Sequence, residues 1–340
     1  MTLPHHLPAS GLPRHGGDLA AAEQRFGRPA GGWLDLSTGI NPVPYPLAPL
    51  PDEVWTRLPD AALLARVSEA AARAYGAPEP ACVAVGPGSQ ALIQWLPRLL
   101  PPTMVTVIGP TYGGHAPAWA EAGHAVTVGE GDHVSPDSRV VVVVNPNNPD
   151  GRVFAPEGLA ELASALAARG GLLVVDEAFA DPTPELSLAP RVGAGLLVLR
   201  SFGKFFGLAG LRLGFALAEP ALAERLRAAM GAWAVAGPSL AVGAAALEDE
   251  AWIAATRKRL AREVQALDGI LMRAGLKPVG GTPLFRLTMA PRAWALYEHL
   301  GQHGILVRPF EHEPRWLRIG LPADEPARDR LRAALAAWRG

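Results

Sequence analysis

Only one cysteine, Cys82, stands in 340 residues. No disulfide can therefore close within the chain, and a reducing, cytoplasmic compartment is the expectation. Net charge is equally scarce. Lys and Arg number 31 against 32 Asp and Glu, without the excess of basic charge that nucleic acid or an anionic membrane surface attracts. The start, Met1-Thr-Leu-Pro-His-His-Leu-Pro8, lacks both the basic segment and the apolar core of a secretory leader, so none is expected. Residues 228–247 carry no charge over about the length of a spanning helix. They are mostly Ala and Gly and are interrupted by Gly237-Pro238-Ser239, which reads as a buried helix end, a turn and a second buried helix. What the chain does have is apolar material, 49% against 19% charged residues, enough for a large core.

At this length two packed units of unequal size are expected. Residues 1–50 are rich in Pro and Gly and read as an irregular arm with one short helix at 18–26. From there short apolar runs at 82–85, 104–108, 125–128, 140–144, 172–175, 196–199 and 213–216 alternate with helical patterns at 89–100, 112–122 and 156–168. That alternation predicts an α/β fold, a mostly parallel sheet covered on both faces, in a large domain over 51–235. Past residue 216, helices at 220–230 and 251–274 lead to strand candidates at 284–288 and 316–319, with helices at 293–303 and 326–338. This α+β pattern marks a smaller domain over 236–340. Parallel sheets bind ligands at the carboxyl ends of their strands. Gly86, Asn145, Asp176 and Ser201 each stand at or just past such an end.

The most informative run is Arg200-Ser-Phe-Gly-Lys-Phe-Phe-Gly-Leu-Ala-Gly-Leu-Arg-Leu-Gly214. A lysine that forms a Schiff base must be fixed in place and able to lose its proton. Lys204 follows an apolar strand, with Ser201 and Arg212 able to hold an anion on either side; a basic surface loop is the ordinary alternative. Gly86-Pro-Gly-Ser-Gln90 offers amides and a hydroxyl to an anion. It lacks the third glycine of a dinucleotide fingerprint and the Gly-Lys-Ser/Thr of a P-loop. Tyr112 begins a helix, where packing or capping is the plain reading, and His115 one turn later reads first as an ordinary surface histidine, with facing the same site as its alternative. Val141–Val144 run into Asn145-Pro-Asn-Asn-Pro-Asp-Gly151, whose prolines stiffen a loop that can aim one amide. Asp176 ends a buried strand, where a carboxylate is costly unless paired. Ser-x-x-Lys also occurs in penicillin-binding acyltransferases, but their Ser-Asp-Asn and Lys-Thr-Gly strings are missing. Arg318, in Trp-Leu-Arg-Ile-Gly320, would ordinarily face solvent from its strand.

Taken in order, these segments resemble the pyridoxal-phosphate enzymes of fold type I, the aspartate-aminotransferase fold, over nearly the whole chain. The resemblance implies pyridoxal 5'-phosphate as cofactor and no metal. Lys204 would be the Schiff-base lysine, Asp176 the partner of the ring nitrogen, Asn148 the donor to the 3-oxygen and Tyr112 the residue against the ring. Gly88, Ser89, Gln90, Ser201 and Arg212 would hold the cofactor phosphate. Arg318 would grip the substrate carboxylate, a task suited to its bidentate fork. Three positions depart from the pattern: Asp150 for the usual Thr, Phe179 for a frequent Tyr, and Leu58 for a Tyr that reaches the neighbouring subunit's cofactor.

Two branches of that family are nearest, the histidinol-phosphate aminotransferases and the L-threonine-O-3-phosphate decarboxylases of cobalamin biosynthesis. His15-Gly-Gly-Asp18, Leu34-Asp-Leu-Ser-Thr-Gly-Ile-Asn-Pro-Val-Pro-Tyr-Pro46, Asp176-Glu-Ala-Phe179 and Arg200-Ser-Phe-Gly-Lys-Phe-Phe206 resemble the second. The implied reaction is decarboxylation of L-threonine O-3-phosphate to (R)-1-aminopropan-2-ol O-2-phosphate. Transamination is the alternative, and a non-catalytic cofactor-binding role is a third, disfavoured by the presence of Lys204. The family also implies a homodimer with the arm contributing to the substrate pocket. Candidate donors to the substrate phosphate are His15, Gly16, Gly17, Ser37, Thr38 and Asn41, each with simple packing as its alternative.

Overall fold

Five consecutive valines, Val140–Val144, form a strand buried along its whole length, as β-branched residues do when both faces of a sheet are covered. In the computed structural model, which describes residues 15–131 and 133–339, this strand belongs to a seven-stranded sheet. Its spatial order is Val83–Gly86, Gly214–Leu217, Leu196–Ser201, Leu172–Asp176, Val140–Val144, Met104–Gly109, Ala125–Glu130. The last five run parallel, and Gly214–Leu217 is antiparallel to both neighbours. On one face Leu92, Leu96, Trp119 and Leu226 pack against Val142, Val174, Leu197 and Leu199, which alternate along their strands as a two-residue period requires. The leader expectation concerns residues 1–8, outside those described.

Helix boundaries follow local chemistry. The pattern at 89–100 divides into an α-helix, Ser89–Trp95, and a tighter turn, Leu96–Leu99, because Pro97 has no N–H to continue the ladder. A helix at Ala61–Tyr75 was not among the expected elements. Asp60 caps it by accepting from Leu63 N at 2.8 Å, and Gly76 ends it with φ 74°, a start and stop signal that the sequence carries. In the uncharged stretch, the break falls at residues 231–236, between Pro220–Met230 and Gly237–Glu248. Gly237-Pro238-Ser239 thus forms a first helical turn, where proline is at home, and not the turn expected there. No helix among the described residues is long and apolar enough to cross a membrane.

The chain forms two compact units. The larger comprises Pro44–Asn148 and Arg152–Lys258; the smaller runs through Val43, takes in Pro149–Gly151 and resumes at Arg259. The second division falls inside the helix Glu250–Arg273 and not at 235/236, since Gly237–Glu248 packs on Ala61–Tyr75. Within the smaller unit four antiparallel strands lie in the order Arg308–Pro309, Trp316–Gly320, Phe285–Met289, Pro278–Thr282. A separate parallel pair joins Leu34–Asp35 to Ile305–Leu306.

Candidate active site

Lys204 is carried by a single short helix, Phe202–Phe205, directly after the strand that ends at Ser201. Aromatic side chains hold this helix. The Phe202 and Phe206 rings stack at 4.3 Å, Phe206 stacks on Trp252 at 5.6 Å, and Phe205 meets Phe206 edge-on at 5.2 Å. Each such pair contributes about 0.5–1.5 kcal/mol beyond burial. The repeated Phe of the motif therefore aims the lysine. Its Nζ stands 5.8 Å from the buried Phe179 ring.

Around it the strand ends bring an anion cradle together. Gly214 pairs in register with Ser201 on one side and Gly86 on the other. A Cβ at Gly214 would lie 2.3 Å from Ser89 N, so glycine there lets the two turns close on one another. Gly88 has φ +83°, and a Cβ on it would meet Arg212 Nη2 at 2.9 Å. The guanidinium thus rests on the Gly88 turn. Ser89, Ser201 and Arg212 combine hydroxyls, amides and a cation.

Asp176 is buried at the end of its strand. One carboxylate oxygen accepts from Ala178 N at 3.0 Å and the other lies 2.8 Å from His115 Nε2. His115 is 1% exposed; the expectation of a surface histidine is wrong, because the helix begins at His115 itself and turns its first residue inward. Tyr112 donates its hydroxyl to Gln90 Oε1 at 2.8 Å. Burial, then the Asp176 charge, pushes that phenol above its ordinary range, with Arg212 opposing. The asparagine loop is rigid. Asn145 exchanges two hydrogen bonds with the Phe154 main chain, and Asn147 donates to Pro110 O at 2.9 Å and accepts from Thr111 Oγ1 at 2.6 Å. Asn148 directly follows this pair in the loop.

The smaller unit holds a second group of the expected residues. Ser37 is buried; its hydroxyl donates to Asp35 and accepts from Gly17 N at 2.8 Å, while its carbonyl accepts from Arg318 Nη2 at 2.9 Å. Gly16 lies directly against the Ser37 main chain, and Thr38 O against Gly320. His15 is exposed. Asn41 Oδ1 accepts from Val43 N at 3.1 Å and from Arg259 Nη2 at 2.9 Å. The Ser37 and Asn41 oxygens thus build the loop. Arg318 faces Arg308 in strand register. Burial, then Arg308, pushes the Arg318 guanidinium down to about 9, with Asp35 opposing, and burial pushes Arg308 down to about 10. Two desolvated cations side by side favour an arriving anion. Arg308 was missed from the sequence because only strand register places it beside Arg318.

The donor set of the larger unit fits pyridoxal phosphate: a cation with hydroxyls and amides for its phosphate, a buried carboxylate for a protonated ring nitrogen, an aimed amide for its phenolic oxygen, and an amine for its aldehyde. Residues 50–335 match the family described as aminotransferase class I and II, and the chain belongs to that family. It is 48% identical over 330 residues to a threonine-phosphate decarboxylase of Pseudomonas aeruginosa, covering 96% of this chain and 98% of the relative. It is 46% identical to a threonine-phosphate decarboxylase of Sinorhizobium sp, over 95% of this chain and 97% of the relative. Its fold matches the histidinol-phosphate aminotransferase of Sinorhizobium meliloti in complex with pyridoxal-5'-phosphate. That match has TM-score 0.78 and 24% identity, and covers 98% of this chain and 97% of the other.

Proposed function

We propose that this chain is a pyridoxal-phosphate enzyme that decarboxylates L-threonine O-3-phosphate to (R)-1-aminopropan-2-ol O-2-phosphate, for the linker of the cobalamin nucleotide loop. The near-full-length identity of 48% to a threonine-phosphate decarboxylase supports this reading most strongly. A cytoplasmic site of action agrees with the single buried cysteine.

Bound pyridoxal phosphate supplies an electron sink for the pair released at the substrate α-carbon. The residues do the rest. Arg212, Ser89 and Ser201 would hold the cofactor phosphate and Asn148 its 3-oxygen, with Tyr112 serving its ring. Asp176, oriented by His115, keeps a proton on the ring nitrogen. Lys204 anchors the cofactor at rest. As the bond from Cα to the carboxylate breaks and carbon dioxide leaves, Lys204 Nζ returns a proton to Cα. Arg318, Arg308 and the Gly17–Ser37 contact supply the charge and amides that hold the substrate's anionic groups. Binding energy from the remote phosphate would then orient the carboxylate for release. Incubation with L-threonine O-phosphate should yield carbon dioxide and aminopropanol phosphate in equal amounts. Absence of the amine product would refute the assignment.

The second part of the proposal is a symmetric homodimer with the arm contributing to a substrate pocket. Trp55, Leu58 and Trp233 are 65%, 65% and 63% exposed on the larger unit. Trp233 and Leu64 line one apolar groove there. Apolar surface of this kind marks an interface. Sedimentation at micromolar concentration should give twice the chain mass of 35.7 kDa. A fully active monomer contradicts this part.

A further inference from the structure

Successive side chains of a strand point to opposite faces of the sheet. Asp176 and Ser201 are followed and preceded, respectively, by Glu177 and Arg200, which therefore lie on the reverse face from them. There Arg200 donates from Nη1 to Glu177 Oε2 and from Nη2 to Asp181 Oδ1, both at 2.8 Å. Its guanidinium carbon stands 4.2 Å from the Tyr75 ring centroid. Glu177 also accepts from Ser187 Oγ and Leu188 N, each at 2.6 Å. Arg257 Nε donates to the Asp181 carbonyl at 2.8 Å. Arg200, Glu177 and Asp181 are 2%, 0% and 3% exposed.

Stability alone does not explain this set. Two carboxylates and a guanidinium lose their hydration here, and apolar residues of equal volume commonly hold a backbone as well or better. Among the described residues Arg200 Nε, Asp181 Oδ2 and Thr183 Oγ1 find no hydrogen-bond partner, and a partly satisfied buried network is a poor stabiliser. What it supplies is direction. A planar fork held by two carboxylates admits one placement of the segment bearing it against the segment bearing them, which apolar packing does not enforce. Those segments are the strand end just before Lys204 and the turn just after Asp176.

We propose that Arg200, clamped between Glu177 and Asp181, is a positioning residue that fixes the turn carrying Asp176 against the turn carrying Ser201 and Lys204. This role rests on the pyridoxal-phosphate reading above. Arg200→Lys tests it, since lysine keeps the charge but cannot bridge both carboxylates in the plane of a fork. Pyridoxal phosphate binding to the whole protein is measured by equilibrium dialysis, with the visible circular dichroism of the bound cofactor, kcat, KM and the melting temperature. The cofactor dissociation constant should rise at least about tenfold, kcat should fall by a similar factor with KM nearly unchanged, and the dichroic band should change in amplitude. A variant that merely melts earlier, with wild-type cofactor affinity and dichroism, overturns the positioning role. If Arg200→Lys does not accumulate as folded protein, Glu177→Gln, which keeps the shape and loses one carboxylate, is read by the same measurements. Failure of the wild-type chain to bind pyridoxal phosphate would take down the cofactor reading and this role together. Equal binding by wild type and variant takes down this role alone.

Discussion

Lys204→Ala is expected to lower kcat by at least about a thousandfold, because in the proposed mechanism one side chain serves as both anchor and proton donor at Cα. The fall should exceed any loss of folding. Lys204 is partly exposed on a four-residue helix, and the packing that holds that helix comes from Phe202, Phe205 and Phe206, which the substitution leaves in place. Borohydride treatment of the wild-type protein with pyridoxal phosphate should add cofactor mass to the peptide containing Lys204, and to no peptide of the variant. Turnover within tenfold of wild type would show that another amine does this work. The buried surroundings of Asp176 and His115 would then need a different explanation.

The second large effect concerns substrate choice. Carbon dioxide release from L-threonine O-phosphate should exceed that from L-threonine at least about a hundredfold in kcat/KM, with part of the difference in kcat. A group remote from the reacting bond affects kcat when its binding energy is used to orient that bond. Arg318 and Arg308, desolvated side by side, lose least when an anion meets them, and the Gly17–Ser37–Arg318 hydrogen bonds hold arm and arginine in one framework. L-threonine lacks the second anion. If both substrates perform alike, these arginines serve the carboxylate alone and the arm is packing.

Much of this candidate site is legible in the sequence, and the reasons differ by residue. Asp176 and Asn148 announce themselves because each directly follows or shortly succeeds an apolar run whose continuity marks a buried parallel strand. Lys204 is readable from the small and aromatic residues that surround it. His115 was not: one histidine in a helix's first turn gives no periodic signal, and its inward orientation depends on where the helix begins. Arg308 escaped for a related reason, since cross-strand pairing is set by register and Arg308–Pro309 is only two residues long. The strand Pro278–Thr282 carries a proline and two glycines, a composition that argues against a strand. Thr282 nonetheless pairs with Phe285 and Gly281 with Arg286 in a bulged ladder, where Gly280 and Gly281 accept the close approach of Asp150. Ala61–Tyr75 belongs to another class. Its Asp60 cap and Gly76 stop are both present in the sequence.

The branch point between decarboxylation and transamination can be put to the protein in one vessel. The holoenzyme is given carboxyl-labelled L-threonine O-phosphate together with 2-oxoglutarate, so that a keto-acid acceptor is always at hand. Labelled carbon dioxide is counted against keto acid and glutamate. The expected result is carbon dioxide as nearly the whole of the labelled product, with glutamate at the level of an enzyme-free control. Glutamate and a labelled keto acid accumulating faster than carbon dioxide would make the chain an aminotransferase.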